Sequence, residues 1–303
     1  MGGDAGRLGY DDLTAAFFKG WGKSLGAPPP HGPGHKQNYV RKLLTSTRTA
    51  VREAVLRGEA PDGFRDPFER LRGDSVLAAE RAKKPSLSID QVRAIMGAEA
   101  QPASLVEVVR DAFAFAFFVG GMRFGDVCLL RWGAVKPEGE GRPAHVVYNA
   151  EKTGKAMDVP LPPEAVGILD RYATRASRGP RSFVFPFLDR RDVSTPAKRR
   201  QAIQSLNAYA NAKLKVLARR AGIPDPDRVT THVARHSHAG HLYDVGVAPH
   251  TIKQVLAHSR FDTTENYISG LDRGRLDGVY LSAFTESEGA GGPAAGPGGA
   301  GKA

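Results

Sequence analysis

A single cysteine, Cys128, stands in 303 residues. No disulfide can form within such a chain, and a reducing compartment is the expected setting. Cys128 lies in the apolar stretch RFGDVCLLRW and reads as packing rather than chemistry. Long hydrophobic runs are lacking too. No window reaches the ~18 consecutive apolar residues that read as a membrane-spanning helix. The longest run, AFAFAFFVGGM at Ala112–Met122, has the length of a buried helix. The start, MGGDAGRLGYDD, has no apolar segment of the secretory kind. A soluble, cytoplasmic protein is therefore expected. Internal repeats are missing too. Acid is in short supply: 32 Asp and Glu against 43 Lys and Arg leave a net charge of +11 and a pI near 9.8. That balance suits a polyanionic partner, nucleic acid or an anionic membrane, better than a small metabolite.

The length allows one large or two ordinary domains. From Tyr10 to about Ala82 the pattern is helical. DDLTAAFFKGWGKSL is followed by the break GAPPPHGPG and then by KQNYVRKLLTSTRTAVREAVLRG. In the second helix Tyr39, Leu43, Leu44, Ala50, Val51 and Val55 are expected on one face, with Lys36, Arg41, Lys42, Arg48 and Arg52 on the exposed side. The segment ERAKKPSLS reads as a linker, and Ser88 is placed to cap the helix that follows. This gives a helical module over 1–80, a linker over 81–88, a larger domain over 89–285 and a disordered Gly/Ala/Pro tail over 286–303. The larger domain reads as helical with one hairpin. HVVYNAEKTGKAMDVPLP alternates on both sides of a Thr-Gly turn, with strands expected at about 145–150 and 156–161. The long helix TPAKRRQAIQSLNAYANAKLKVLARRAG carries seven Lys or Arg and no acid. Lys198, Arg199 and Arg200 in it, like the basic face of the first module, are candidates for phosphate contact.

Six histidines, two arginines and two tyrosines fall within Thr231–Tyr267, THVARHSHAGHLYDVGVAPHTIKQVLAHSRFDTTENY. His232 and His236 are four apart, a spacing that metal pairs use. Arg235 lies between them, however, and its fixed cation opposes a metal ion, so no metal site is expected. His238 and His241 read as packing or surface residues. Phosphodiester chemistry accounts for the set better. Arg235, three residues after His232, presents a planar fork that matches two phosphate oxygens, and histidine can exchange a proton near neutral pH. A second arginine, Arg123, begins a helix after Gly-Gly, with Asp126 one turn on and able to hold it. Lys152 sits on the hairpin turn and could offer an ammonium to a leaving oxygen; Lys155 competes for that role. Tyr267 is the nucleophile candidate. Its phenol, with an unperturbed pKa near ~10, needs neighbouring cations to attack.

The order of these pieces is more specific than any one of them. GMRFGD and LLRW, a KTGK hairpin followed by VPL, HVARH, and LAHS followed by TTENY resemble the tyrosine recombinases, or phage integrase family. On that resemblance the site residues are Arg123, Lys152, His232, Arg235, His258 and Tyr267. It covers about 88–284 as a catalytic domain and, less specifically, 10–80 as a helical core-binding domain. One departure is Ala257, where the family usually has Gly. No separate arm-type DNA-binding domain is read ahead of the first module. The fold expected is mainly α with a small β-hairpin or sheet: a helical core-binding domain plus a mixed α+β catalytic domain.

The resemblance implies a bacterial mobile-element integrase that recombines double-stranded DNA sites. Tyr267 would form a 3′-phosphotyrosine, with Arg123 and Arg235 stabilising the phosphoryl charge and His258 adding a hydrogen bond. Lys152 would act as general acid and His232 would assist proton transfer. Neither ATP, metal nor other cofactor is implied. Four protomers on DNA are expected, with room for accessory DNA-bending factors. A stripe of Leu276, Val279, Tyr280 and Phe284 would dock into the neighbouring protomer. The alternatives are a type IB topoisomerase-like enzyme, a non-catalytic DNA-binding relative and a metal-dependent nuclease.

Overall fold

The computed structural model describes residues 8–80, 84–138, 141–174 and 179–256. The chain divides into two compact units, Met1–Ala82 and Lys83–Ala303. The expected linker residues 81–83, the tail and the stripe Leu276–Phe284 lie outside the described residues, as do His258 and Tyr267.

The first unit is built on α1 (Ala15–Gly26) and α2 (Gln37–Leu56). Thr14 caps α1 by accepting from the Phe17 amide at 3.1 Å. Phe18, Val40, Leu44, Val51, Phe68, Leu71 and Val76 form the core. Gly22 is required by close packing, because a Cβ there would lie 2.3 Å from Val76 Cγ2. The buried stripe of α2 is turned from the expected one. Val40 is buried, whereas Tyr39 is 47% and Val55 41% exposed. One residue is 100° of helix rotation, and the apolar pair at 39 and 40 left that phase open.

In the second unit α3 (Ile89–Gly97) is capped by Ser88, whose hydroxyl accepts from the Gln91 amide at 3.2 Å while Gln91 Oε1 accepts from the Ser88 amide at 2.9 Å. Leu87, read as linker, is buried. The central element is α4 (Leu105–Phe118), buried almost all round, with Val108, Val109 and every residue from Ala112 to Phe117 in the core. It packs against α3 and against α6 (Pro163–Ala173), α7 (Pro196–Arg220) and α8 (Thr231–Asp244). Truncating a core ring such as Phe115 would cost about 3–5 kcal/mol. The chain then turns through Gly120 and Gly121, with φ of +63° and +61°, into the short helix α5 (Phe124–Leu129).

A three-stranded antiparallel sheet follows, β1 (Val135–Glu138), β2 (Arg142–Asn149) and β3 (Ala156–Pro160), in that order. The hairpin lies where its alternation placed it, with Gly154 at φ +64° in the turn. The edge strand β1 was not legible: VKPE is short and does not alternate, and its pairing slips at Lys136/Pro137. SFVFPF makes one isolated bridge, Arg131 to Phe183, and buries Val184, Phe185 and Phe187 in the core. The last described helix is α9 (Pro249–Val255), whose Ile252, with Leu256, packs on Ala239 of α8. Among the described residues no helix is long and apolar enough to cross a membrane.

Candidate active site

Helix α8 brings the site together. Seven consecutive residues, Val233 to Ala239, are buried, polar ones included. Burial on that scale requires partners for the polar groups. Ser237 Oγ accepts from the Leu87 amide at 2.8 Å, which pins the start of the second unit along α8. Arg235 is 3% exposed; its guanidinium donates to the Gly121 carbonyl at 2.9 Å and to the Leu256 carbonyl. The same side chain that offers a charge to a ligand therefore ties the Gly-Gly turn to the end of α9, two residues before His258. Gly121 has no room for more: a Cβ would lie 3.3 Å from Arg235 Cα and 3.2 Å from Leu256 Cδ2.

Arg123 follows that turn as the residue preceding α5 and is half-buried. Asp126, one turn on, is buried, and its Oδ1 accepts from the Glu151 amide at 2.9 Å. The bond fixes α5 to the hairpin loop that carries Lys152, whereas Arg123, the expected partner, acts on Asp126 through its charge and not through a hydrogen bond. Burial raises the Asp126 pKa, against the hydrogen bond from Glu151 and the charges of Arg123 and Arg235.

His232 registers how these cations converge. It is exposed at the residue level, but surrounding protein still strips hydration from its imidazolium. That desolvation comes first, the charges of Arg235, Lys84, Arg123 and Lys152 add to it, and the pKa falls to about 4. Arg123, Lys152, His232 and Arg235, scattered over more than a hundred residues of sequence, thus share one electrostatic neighbourhood. His258 and Tyr267 fall outside the described residues. The His232 ring stacks edgewise on His236 at 4.6 Å. His238 and His241 pack against Phe117, at 5.9 and 6.0 Å. Burial sends the Cys128 thiol pKa up, in keeping with a packing role.

Two members were missed. Lys84, inside the expected linker, reaches His232 with its charge; nothing in a linker lysine signals this. Tyr148 of β2 lies within range of Asp126, Arg235 and Arg123, and its phenol is pushed up to about 12, by burial first and then by Asp126. The alternation of HVVYN placed Tyr148 on a strand face, but not which groups that face meets.

The phosphate-contact candidates are spread over both units. In the first, Lys36 and Lys42 are exposed, Arg41 donates to the Leu77 carbonyl at 3.1 Å, and Arg48 lies 3.9 Å from Asp66. In the second, Lys198 pairs with Asp192 at 2.5 Å, Arg199 is half-buried and Arg200 exposed.

This fold has counterparts among known proteins. The pattern that defines the phage integrase family matches residues 85–273, more than half of the chain. The chain belongs to the phage integrase family, the enzyme class of tyrosine recombinases. It is 27% identical over 234 residues to tyrosine recombinase XerA of Thermococcus onnurineus, across 77% of this chain and 72% of that protein. It is 26% identical over 258 residues to a tyrosine recombinase of Thermosipho africanus, across 85% of this chain and 80% of that one. Among solved structures, the Tn1549 transposon integrase in complex with transposon right end DNA aligns with a TM-score of 0.61, at 16% identity over 93% of this chain and 89% of that one. A lambda integrase dimer bound to a core site aligns with a TM-score of 0.59, at 18% identity over 87% and 82%. At these identities the structural likeness is one of fold.

Proposed function

We propose that this chain cuts and rejoins double-stranded DNA at specific sites through a 3′-phosphotyrosine on Tyr267, without ATP or metal. The observation that carries the reading is the convergence of Arg235, Lys84, Arg123 and Lys152 on His232. Such a cluster is electrostatically unfavourable alone and complementary to a phosphodiester, most of all to the pentacoordinate transition state with its added charge. Tyr267 oxygen attacks phosphorus as the bond to the 5′-oxygen breaks. Lys152 gives that oxygen its proton, and Arg123 and Arg235 hold the non-bridging oxygens. His258 adds a hydrogen bond there. His232, neutral in the free protein, takes the phenol proton once the bound phosphate offsets the surrounding cations. Attack by a 5′-hydroxyl of the partner strand reverses the step, so bond energy is conserved in the aryl ester. Four protomers on two sites carry out the exchange.

Tyr148 supports the assignment by contrast. A phenol held near 12 is a poorer nucleophile than an ordinary tyrosine. The test is covalent trapping on a nicked DNA site in the presence of a chelator. The parent forms an adduct, and Tyr267→Phe binds the DNA but forms none. Persistence of the adduct in Tyr267→Phe would refute the assignment, and its disappearance in chelator would point to a metal-dependent nuclease. Supercoil relaxation without recombinant product would point to a topoisomerase.

A further inference from the structure

The first turn of α8 is not held by its own cap. Thr230 precedes the helix and makes no side-chain capping hydrogen bond, although the first N–H groups of a helix lack intrahelical acceptors. An acceptor comes instead from α7. The Thr231 amide donates to Asn211 Oδ1 at 2.8 Å, and the Thr231 hydroxyl donates to Asn207 Oδ1 at 2.7 Å. Asn207 and Asn211 are one turn apart and share a face of α7, beside the buried Leu206, Ala210 and Leu214. Asparagine is a poor residue for a helix interior, so two of them at half-buried positions of a long helix call for a reason. The next residue after Thr231 is His232, and Arg235 lies one turn further on. The other anchors of α8, from Arg235 to Gly121 and Leu256 and from Leu87 to Ser237, begin at or beyond Arg235. His232 lies on the N-terminal side of these anchors, next to Thr231, which the asparagine pair holds.

We infer that Asn207 and Asn211 are positioning residues that fix the first turn of α8, and with it His232, relative to the basic helix α7. The inference rests on the proposed strand cleavage. The pair does not touch the reacting atoms; it sets where His232 stands when α7 is on DNA. A misplacement of about 1 Å in such a site is enough to cost on the order of 10² in rate.

The experiment is single-turnover cleavage of a nicked DNA site by the full chain, with DNA affinity and melting temperature measured alongside. Asn211→Ala should bind within about twofold of the parent and melt close to it, yet cleave on the order of 10- to 100-fold more slowly. Asn211→Asp keeps an acceptor for the Thr231 amide, with a charge that suits a helix N-terminus, and should restore most of the rate. Should Asn211→Ala fail to fold, Thr231→Val, which removes only the hydroxyl donor, should slow cleavage several-fold at unchanged affinity. Cleavage at the parent rate, a loss matched by equal weakening of DNA binding or melting, or no rescue by Asp would each overturn the inference. If the parent itself forms no adduct, the strand-cleavage reading falls first and this inference with it. If the parent cleaves and the variants equal it, only the inference falls.

Discussion

The cations of α2 in the first unit and those around His232 in the second are handled in opposite ways. On α2 of the first unit Arg52 pairs with Asp66 at 2.8 Å, Arg48 lies 3.9 Å from the same carboxylate, and Arg41 donates to a backbone carbonyl. Asp66 also caps the turn at Phe68. These arginines are tied into their own unit, and the exposed lysines Lys36 and Lys42 remain on its surface. In the second unit Arg123, Lys152, Lys84 and Arg235 all press on one histidine, and the carboxylate among them, Asp126, has its pKa raised by burial. Net charge is the same kind of fact in both units and says nothing of this difference. A paired arginine stabilises its own fold modestly. A group of converging cations stores unfavourable energy that an incoming anion relieves, which is the arrangement a catalyst of phosphoryl transfer needs.

Substitution of arginine by lysine in each unit gives the sharpest contrast. Arg235→Lys keeps the charge and loses the fork that reaches both the Gly121 and Leu256 carbonyls. Cleavage should fall on the order of 10²–10³-fold. Arg57→Lys, at an arginine paired with Glu53 at 3.0 Å in the first unit, should leave cleavage unchanged. Near-normal cleavage by Arg235→Lys would break the comparison, and so would an equal loss in both variants.

A second contrast lies inside α8. His238 has a pKa lowered to about 4 mainly by burial, against a hydrogen bond to the Phe117 backbone that raises it. The unfolded chain binds the proton near 6.5 and the folded chain only near 4, so stability is fully present above about 6.5 and is lost as pH falls towards 4. The loss from His238 should reach about 3 kcal/mol across that window. Denaturant unfolding at pH 7 and pH 5 checks it: the parent weakens, and His238→Gln should flatten the slope. An unchanged slope would mean that His238 titrates normally.

The smallest effect expected is on DNA affinity. Lys198→Ala combined with Arg199→Ala should lower the dependence of log K on log salt by up to about 0.9 for each phosphate contact removed. Lys36→Ala combined with Lys42→Ala should do the same from the first unit. A slope that does not move for one pair removes that face from the interface.

Much of this was legible in the sequence, because the signals were local. The apolar run of α4, the Ser88 cap, the Thr-Gly hairpin and the spacing of His232 to Arg235 each lie within a few residues. What escaped depends on contacts between distant segments. The buried side of α2 was misjudged at Tyr39 and Val55 because pattern alone does not fix rotation by one residue. Lys84 lies three residues before Leu87, whose amide meets Ser237, 150 residues away. The burial of Arg235 between two backbone carbonyls, and the capping of α8 by Asn207 and Asn211, likewise leave no mark in any one segment.

The most direct measurement is the titration of His232 itself by NMR, in the DNA-free protein at low salt. The account predicts a pKa of about 4, held down first by desolvation and then by the cations. It should therefore rise part of the way in Arg123→Ala, in Lys152→Ala and as salt screens the cations. His238, lowered by burial without Arg123 or Lys152 among its causes, should not respond to those two substitutions. A His232 that titrates near ~6.5 in the parent, or one indifferent to Arg123→Ala, Lys152→Ala and salt, would show that the cations do not converge on it and would contradict the account.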